Sequence, residues 1–272
     1  GERTDKMNNS PIGVFDSGLG GLNVLKELMK ELPNEKYIYL GDTKRFPYGQ
    51  KSIDAIIEIA KQNVEFLIKQ GVKLVVIACG TVTSQALEIL QEIYEIPIVG
   101  IIEPTILNLK DRIDDMDNTI GIIATKGTIR SGAWEKKISE YIPNAEIISV
   151  AAPLLATMAE EGWINNKIAE YTVKEYMKMF KSVDKLILGC THYPLFKTLM
   201  QKELSSKIEI IDTGVELAKY LKNKICELDI QTSNVKGSYK IYLTDIDSTF
   251  ANIATSILNE NISVDEINKL EL

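Results

Sequence analysis

The feature that most constrains this chain is a repeated alternation of short β-branched runs with longer amphipathic segments. Strand-like runs cover residues 12–15, 37–40, 74–78, 98–102, 120–124, 147–150, 186–189, 208–211 and 239–243. Several are apolar on consecutive residues, the pattern of strands buried on both faces of a parallel sheet. Helix-period stretches, such as 53–69, 85–94 and 168–180, lie between them. This is a βαβ succession, and it predicts an α/β fold with mainly parallel sheets.

One repetition goes beyond fold class. Leu74-Val75-Val76-Ile77-Ala78-Cys79-Gly80-Thr81 resembles Lys185-Leu186-Ile187-Leu188-Gly189-Cys190-Thr191-His192. Each is a buried strand, then a small residue, a cysteine, and a threonine within two positions. In open α/β sheets the C-terminal strand ends face the ligand crevice. Two such ends, one per half of the chain, could bring two thiols to a shared cleft. Coincidence is the competing account, because cysteine is common at buried positions.

At 272 residues the chain can hold one large or two modest domains. Its net charge of −7 leaves no basic excess for phosphate, so a nucleic-acid partner is not expected. No apolar run reaches the roughly 18 residues of a membrane span. Gly1 to Lys6 are expected to precede a native start at Met7, and the polar N-terminus lacks a secretory core. Three widely spaced cysteines make no disulfide framework, which points to a reducing cytoplasm.

Phe15-Asp16-Ser17-Gly18-Leu19-Gly20-Gly21 follows the first strand and opens a helix. A dinucleotide fingerprint would place glycine where Asn23 stands, and Asp42 as the ribose acid. A carboxylate-binding turn with Asp16 beside it fits better. The single histidine, His192, sits two residues after Cys190, an acid/base partner next to a thiol. A zinc set of Cys79, Cys190, His192 and Asp16 lacks any close ligand pair. Cys226, in the amphipathic stretch 215–228, reads as inert packing. Arg45-Phe46-Pro47-Tyr48-Gly49 reads as a loop. Thr125 and Thr128, flanking Lys126-Gly127 at a helix start, offer hydroxyls and free amides to a small dicarboxylate.

Together these motifs resemble the glutamate racemase family. The matching pieces are Phe15-Asp16-Ser17-Gly18, Asp42 with Pro47-Tyr48-Gly49, and Ala78-Cys79-Gly80-Thr81. They continue through Thr125 to Thr128, Ala159-Glu160-Glu161-Gly162, and Gly189-Cys190-Thr191-His192-Tyr193-Pro194, in the family's order from Pro11 onward. Related aspartate racemases carry an acidic residue where His192 stands.

The resemblance implies two pseudo-symmetric α/β domains, 1–104 plus 213–272 and 105–212, with the active site in the cleft between them. It implies that Cys79 and Cys190 are the two bases, Asp16 supporting Cys79, and His192 and Glu160 supporting Cys190. It places Asp16, Ser17, Pro47, Tyr48, Gly49, Gly80, Thr81, Thr125, Thr128, Thr191 and His192 at the substrate. It also implies a bacterial source, D-glutamate for peptidoglycan, and no pyridoxal phosphate, metal or other cofactor. A homodimer is compatible with it. Two positions depart from the family pattern. Gly80 replaces an asparagine whose amide contacts substrate, and Ala152 replaces a non-catalytic cysteine.

Racemisation removes a weakly acidic α-proton and restores one on the opposite face. Two thiols across a cleft can serve the two faces, one as thiolate and one as thiol. A non-catalytic amino-acid-binding protein with the same cleft is the rival reading, but it has no use for two strand-end cysteines with polar partners.

Overall fold

The structure is a computed structural model that describes residues 8–113 and 118–272. The expected start at Met7, with Gly1 to Lys6 before it, lies outside the described residues. The chain opens with β1 (Ile12–Asp16), α1 (Leu22–Glu31), β2 (Lys36–Gly41), α2 (Ile53–Lys69), β3 (Leu74–Ile77), α3 (Gly80–Ile93) and β4 (Ile98–Val99). Next come α4 (Ile102–Lys110), β5 (Thr119–Ala124), α5 (Lys126–Ser131), α6 (Ala133–Tyr141), β6 (Glu146–Ala151), α7 (Pro153–Glu160), α8 (Lys167–Met177), β7 (Lys185–Leu188), α9 (Lys197–Glu203) and β8 (Glu209–Asp212). It returns through α10 (Thr213–Glu227), β9 (Ser238–Leu243), α11 (Phe250–Leu258) and β10 (Ile267–Lys269).

Two parallel sheets result. The first has the order β10-β9-β2-β1-β3-β4 and the second β6-β5-β7-β8. The run β2-β1-β3-β4 is repeated as β6-β5-β7-β8, so β1 corresponds to β5 and β3 to β7. Chain direction across the sheet reverses between β1 and β3, and again between β5 and β7. Those reversals are where an open α/β sheet forms its ligand crevice.

The strands are apolar on both faces because both faces are covered. Ile12 and Val14 of β1, Leu74 and Val76 of β3, and Ile120 and Ile122 of β5 enter one central core. Alternate residues turn the other way: Phe15, Val75 and Ile77 pack under α2 and α3, while Ile123, Leu186 and Leu188 pack under α7 and α8. Alternation with period two thus feeds three clusters from two sheets. The central cluster contains residues of both sheets together with Ile106 of α4 and Leu217 of α10, which joins the two lobes.

Two differences from the predicted elements have local causes. The strand predicted at 98–102 pairs only through Ile98 and Val99, at the sheet edge. Ile101 and Ile102 are buried instead at the start of α4, in the central core. β10 escapes prediction because it is three residues long and buries Ile267 alone. Among the described residues no helix is long and apolar enough to cross a membrane.

Candidate active site

Both repeated crevices open into one small cavity. Its wall includes Ser17, Pro47, Tyr48, Gly49, Cys79, Gly80, Thr81, Thr125, Cys190, Thr191 and His192, together with Phe46, Ala156 and Gly189. Cys79 follows β3 and Cys190 follows β7, each two residues beyond the strand end. The repetition in strand order therefore delivers one thiol from each sheet, 5% and 6% exposed, to the same space.

Cys79 occupies the N-cap of α3, with extended backbone. Its sulfur receives the Val82 amide and the Ser17 hydroxyl. These favour a thiolate, as a helix N-terminus does. Burial and the charge of Asp16 win, and the thiol is pushed up to about 12. Cys79 therefore rests protonated. Asp16 is itself fully buried, and burial raises its carboxyl pKa against the opposing pull of His192 and the Gly21 and Gly18 amides.

Cys190 meets a different set of partners. Its sulfur lies 3.5 Å from Nδ1 of His192. Nε2 of the same ring lies 2.5 Å from Oε1 of Glu160, at the end of α7. Burial opposes the imidazolium, but Cys190 and Glu160 together hold the ring's pKa well above the ordinary histidine value. The rings of Phe46 and His192 are 5.2 Å apart, so the aromatic side chain covers the imidazole. A thiol–imidazole–carboxylate relay thus stands on one side, and a protonated thiol beside a buried carboxyl on the other.

The glycine turn after β1 does bind carboxylates, and both belong to the protein. Asp16 Oδ2 accepts from Gly18 N at 3.1 Å and Gly21 N at 2.9 Å. Glu160 Oε1 accepts from Leu19 N at 2.9 Å. Three of the turn's amides, those of Gly18, Leu19 and Gly21, are thus taken by this internal pair. The hydroxyls of Thr81 and Thr125 meet at 2.8 Å across the cleft, and Gly127 N donates to Gly49 O at 3.0 Å. Thr125 also caps α5, accepting from Thr128 N at 3.3 Å.

Asp16 and Thr128, both expected at the substrate, are fully buried and are not among the residues that line the cavity. Asp16 is held there by the amides and by Thr191, whose hydroxyl is 3.3 Å from Oδ1. Thr128 is held by Thr125, whose hydroxyl lies 3.1 Å from its own. Cys226 is exposed on α10 and is not packing. Among the described residues no group of three or more His, Cys, Asp or Glu is placed to hold a metal.

The Tyr48 loop depends on residues that local spacing did not reveal. Asp42, buried at the end of β2, accepts from the Tyr48 hydroxyl, from Arg45 Nε at 2.7 Å and from Thr244 Oγ1 at 2.7 Å. Asn63 of α2 donates to the Tyr48 hydroxyl at 3.2 Å. The position that suggested a ribose acid is the anchor of the cavity's rim.

Fold and site define the class: an α/β protein whose two parallel sheets each bring one buried thiol to the wall of a shared cavity. The chain belongs to the Asp/Glu/hydantoin racemase family, whose profile matches residues 13–221, and is thus a racemase, an isomerase. It is similar to a glutamate racemase of Geobacter metallireducens, 37% identical over 250 residues, 91% of this chain and 92% of the relative. It superposes on the glutamate racemase of Francisella tularensis in complex with D-glutamate, with TM-score 0.88 and 38% identity, over 97% of this chain and 98% of the other. A glutamate racemase isoform of Bacillus anthracis gives TM-score 0.91 at 34% identity, over the same shares of the two chains.

Proposed function

We propose that this racemase interconverts L- and D-glutamate by passing protons between Cys79 and Cys190, and so supplies D-glutamate for peptidoglycan in a bacterial cytoplasm. The observation that carries the reading is the placement of one thiol from each repeated crevice on the wall of a single cavity. The similarity to glutamate racemases, one of them bound to D-glutamate, supports the substrate. The domains would be 1–104 plus 213–272, and 105–212, matching the division of strands between the sheets.

In the L-to-D direction Cys190 takes the α-proton as a thiolate, its own proton having passed to His192, whose imidazolium Glu160 supports. Cys79, protonated at rest, delivers its proton to the opposite face. Asp16 accepts or returns a proton as Cys79 cycles, its own pKa raised toward that task. The amides at the start of α3 and the hydroxyls of Thr81, Thr125 and Thr191 would hold the substrate carboxylates. Ser17, Pro47, Tyr48, Gly49 and Gly80 would complete the contacts.

The test uses dialysed protein with pure L-glutamate in deuterated water. Product isolated at low conversion should carry deuterium at the α-carbon, and the remaining L-glutamate should stay largely protiated. Early product that keeps its original α-proton would mean that one base serves both faces.

A further inference from the structure

We propose that Asn23 is a positioning residue for the Cys190 face of the reaction, holding the turn that carries Cys190 and His192 by the carbonyl oxygen of Thr191. The inference rests on the racemase reading above and concerns the residue that breaks the dinucleotide pattern. Asn23 is the second residue of α1 and is buried. Its Nδ2 donates to Thr191 O at 2.9 Å, from the first lobe to the second. Thr191 stands between Cys190 and His192.

The turn after β7 has no donor of its own for that oxygen. Cys190 O accepts from Tyr193 N at 3.1 Å, and His192 O accepts from Leu195 N at 3.3 Å. Each bond spans three residues, and the one between them would run from residue 194 to Thr191 O. Residue 194 is proline, which has no N–H. A buried carbonyl needs a partner. Asn23 supplies it from the other lobe.

The first lobe grips Thr191 at a second point. Its hydroxyl lies 3.3 Å from Asp16 Oδ1 and 3.4 Å from Oδ2. Gly20, between Asp16 and Asn23 in the chain, runs so close that a Cβ there would come within 2.5 Å of Thr191 Oγ1 and 2.8 Å of His192 Nδ1. The hydroxyl contact alone leaves the peptide between Thr191 and His192 free to rotate. Fixing its carbonyl fixes the whole peptide plane. The 3.5 Å contact of Cys190 Sγ with His192 Nδ1 spans that plane. The effect belongs to one face, because Cys79 takes its hydrogen bonds from Val82 and Ser17.

The first test compares Asn23→Ala, Pro194→Ala and the double variant in the full-length enzyme. Asn23→Leu, which fills similar space without a donor, is carried alongside and should behave as Asn23→Ala does. Misplacement by about 1 Å can cost about 10²-fold in rate, so Asn23→Ala should lower kcat by at least about tenfold. L- and D-glutamate are equal in energy, so kcat/KM must fall equally in both directions. The isotope effects separate the faces. With the Cys190 transfer slowed, α-deuterated L-glutamate should show a larger isotope effect on kcat/KM than in the parent, and α-deuterated D-glutamate a smaller one. Alanine at position 194 supplies the missing N–H, so losing Asn23 should cost less than about threefold in the Pro194→Ala background. Unchanged kcat, a fall in kcat with both isotope effects unmoved, or an equal loss in the two backgrounds would overturn the proposal.

The second test needs no turnover. His192 is the only histidine in the chain, so isotope-labelled histidine gives one imidazole to follow by NMR. With its Cys190 contact loosened, the ring should lose its proton at lower pH in Asn23→Ala than in the parent. The double variant should return toward the parent. A midpoint that stays in place would overturn the proposal. If the parent enzyme does not turn over glutamate, the substrate reading fails, and the His192 titration still decides the role of Asn23.

Discussion

Leu19 in the first lobe donates its backbone N–H to Oε1 of Glu160 in the second at 2.9 Å, and that same oxygen lies 2.5 Å from His192. One atom therefore serves both the contact between lobes and the charge on the imidazole. Glu160→Gln keeps an acceptor for Leu19 and removes the charge. The His192 pKa, held up by Cys190 and Glu160, should then fall. The pH profile of kcat/KM should show its imidazolium lost at lower pH than in the parent. His192→Ala should lower kcat by about 10²–10⁴-fold, the usual worth of a proton-transfer group. Wild-type turnover with a lowered melting temperature would make His192 a packing residue instead.

The cysteines should separate cleanly. Cys79→Ala and Cys190→Ala each remove a wall of the cavity that carries a proton, and each should abolish racemisation. Cys226, exposed on α10 and away from the cavity, should be replaceable by alanine with little change in rate. Racemisation by a Cys190→Ala enzyme at near the parent rate would refute the two-thiol scheme.

Asp16→Asn should improve stability while it harms activity. Burial raises the Asp16 pKa, so the folded state disfavours the charged form. The cost is absent below the ordinary carboxylate value of about 3.9, accrues as pH rises from there to the raised value, and is complete above it. At neutral pH the neutral amide should therefore raise the melting temperature. Loss of the carboxylate charge should also bring the Cys79 titration below about 12, because Asp16 follows burial among the causes that raise it. Ultraviolet absorbance of the thiolate, in a Cys190→Ala, Cys226→Ala background, reads that midpoint directly. An unmoved midpoint would disconnect the two groups.

How much of this was readable depended on distance along the chain. The two cysteines were legible because strand, small residue and thiol are contiguous, and the strand-end rule carries them to a crevice. The glycine turn was half legible. Its amides do hold carboxylates, but one comes from Glu160, 141 residues away, which no local spacing reveals. Thr128 was legible only as a helix-start hydroxyl, which can face inward or outward. Burial turned it toward Thr125. Phe46 and Ala156 complete the cavity wall, and nothing in their local pattern distinguishes them from ordinary loop and helix residues.

The Tyr48 loop makes a prediction about binding. Asp42→Asn keeps the shape of the anchor but removes the charge that Arg45 and the Tyr48 hydroxyl share. The rim should loosen, and KM should rise by more than kcat falls. Isothermal titration with D-glutamate would confirm the loss as one of affinity. An unchanged KM would show that Tyr48 holds its place without Asp42.

Thr244 extends this anchor to the far end of the chain. It donates to Asp42 Oδ1 at 2.7 Å and accepts from Lys44 N at 3.0 Å, just beyond β9, which pairs with β2. During synthesis every residue that touches the thiols is made well before this threonine. Until β9 arrives, β2 is an unpaired edge and the carboxyl that holds Tyr48 lacks one of its donors. A nascent chain can thus carry the whole proton-transfer apparatus while its rim is still unlatched. Competence is acquired last, from a segment that contributes nothing to the chemistry itself.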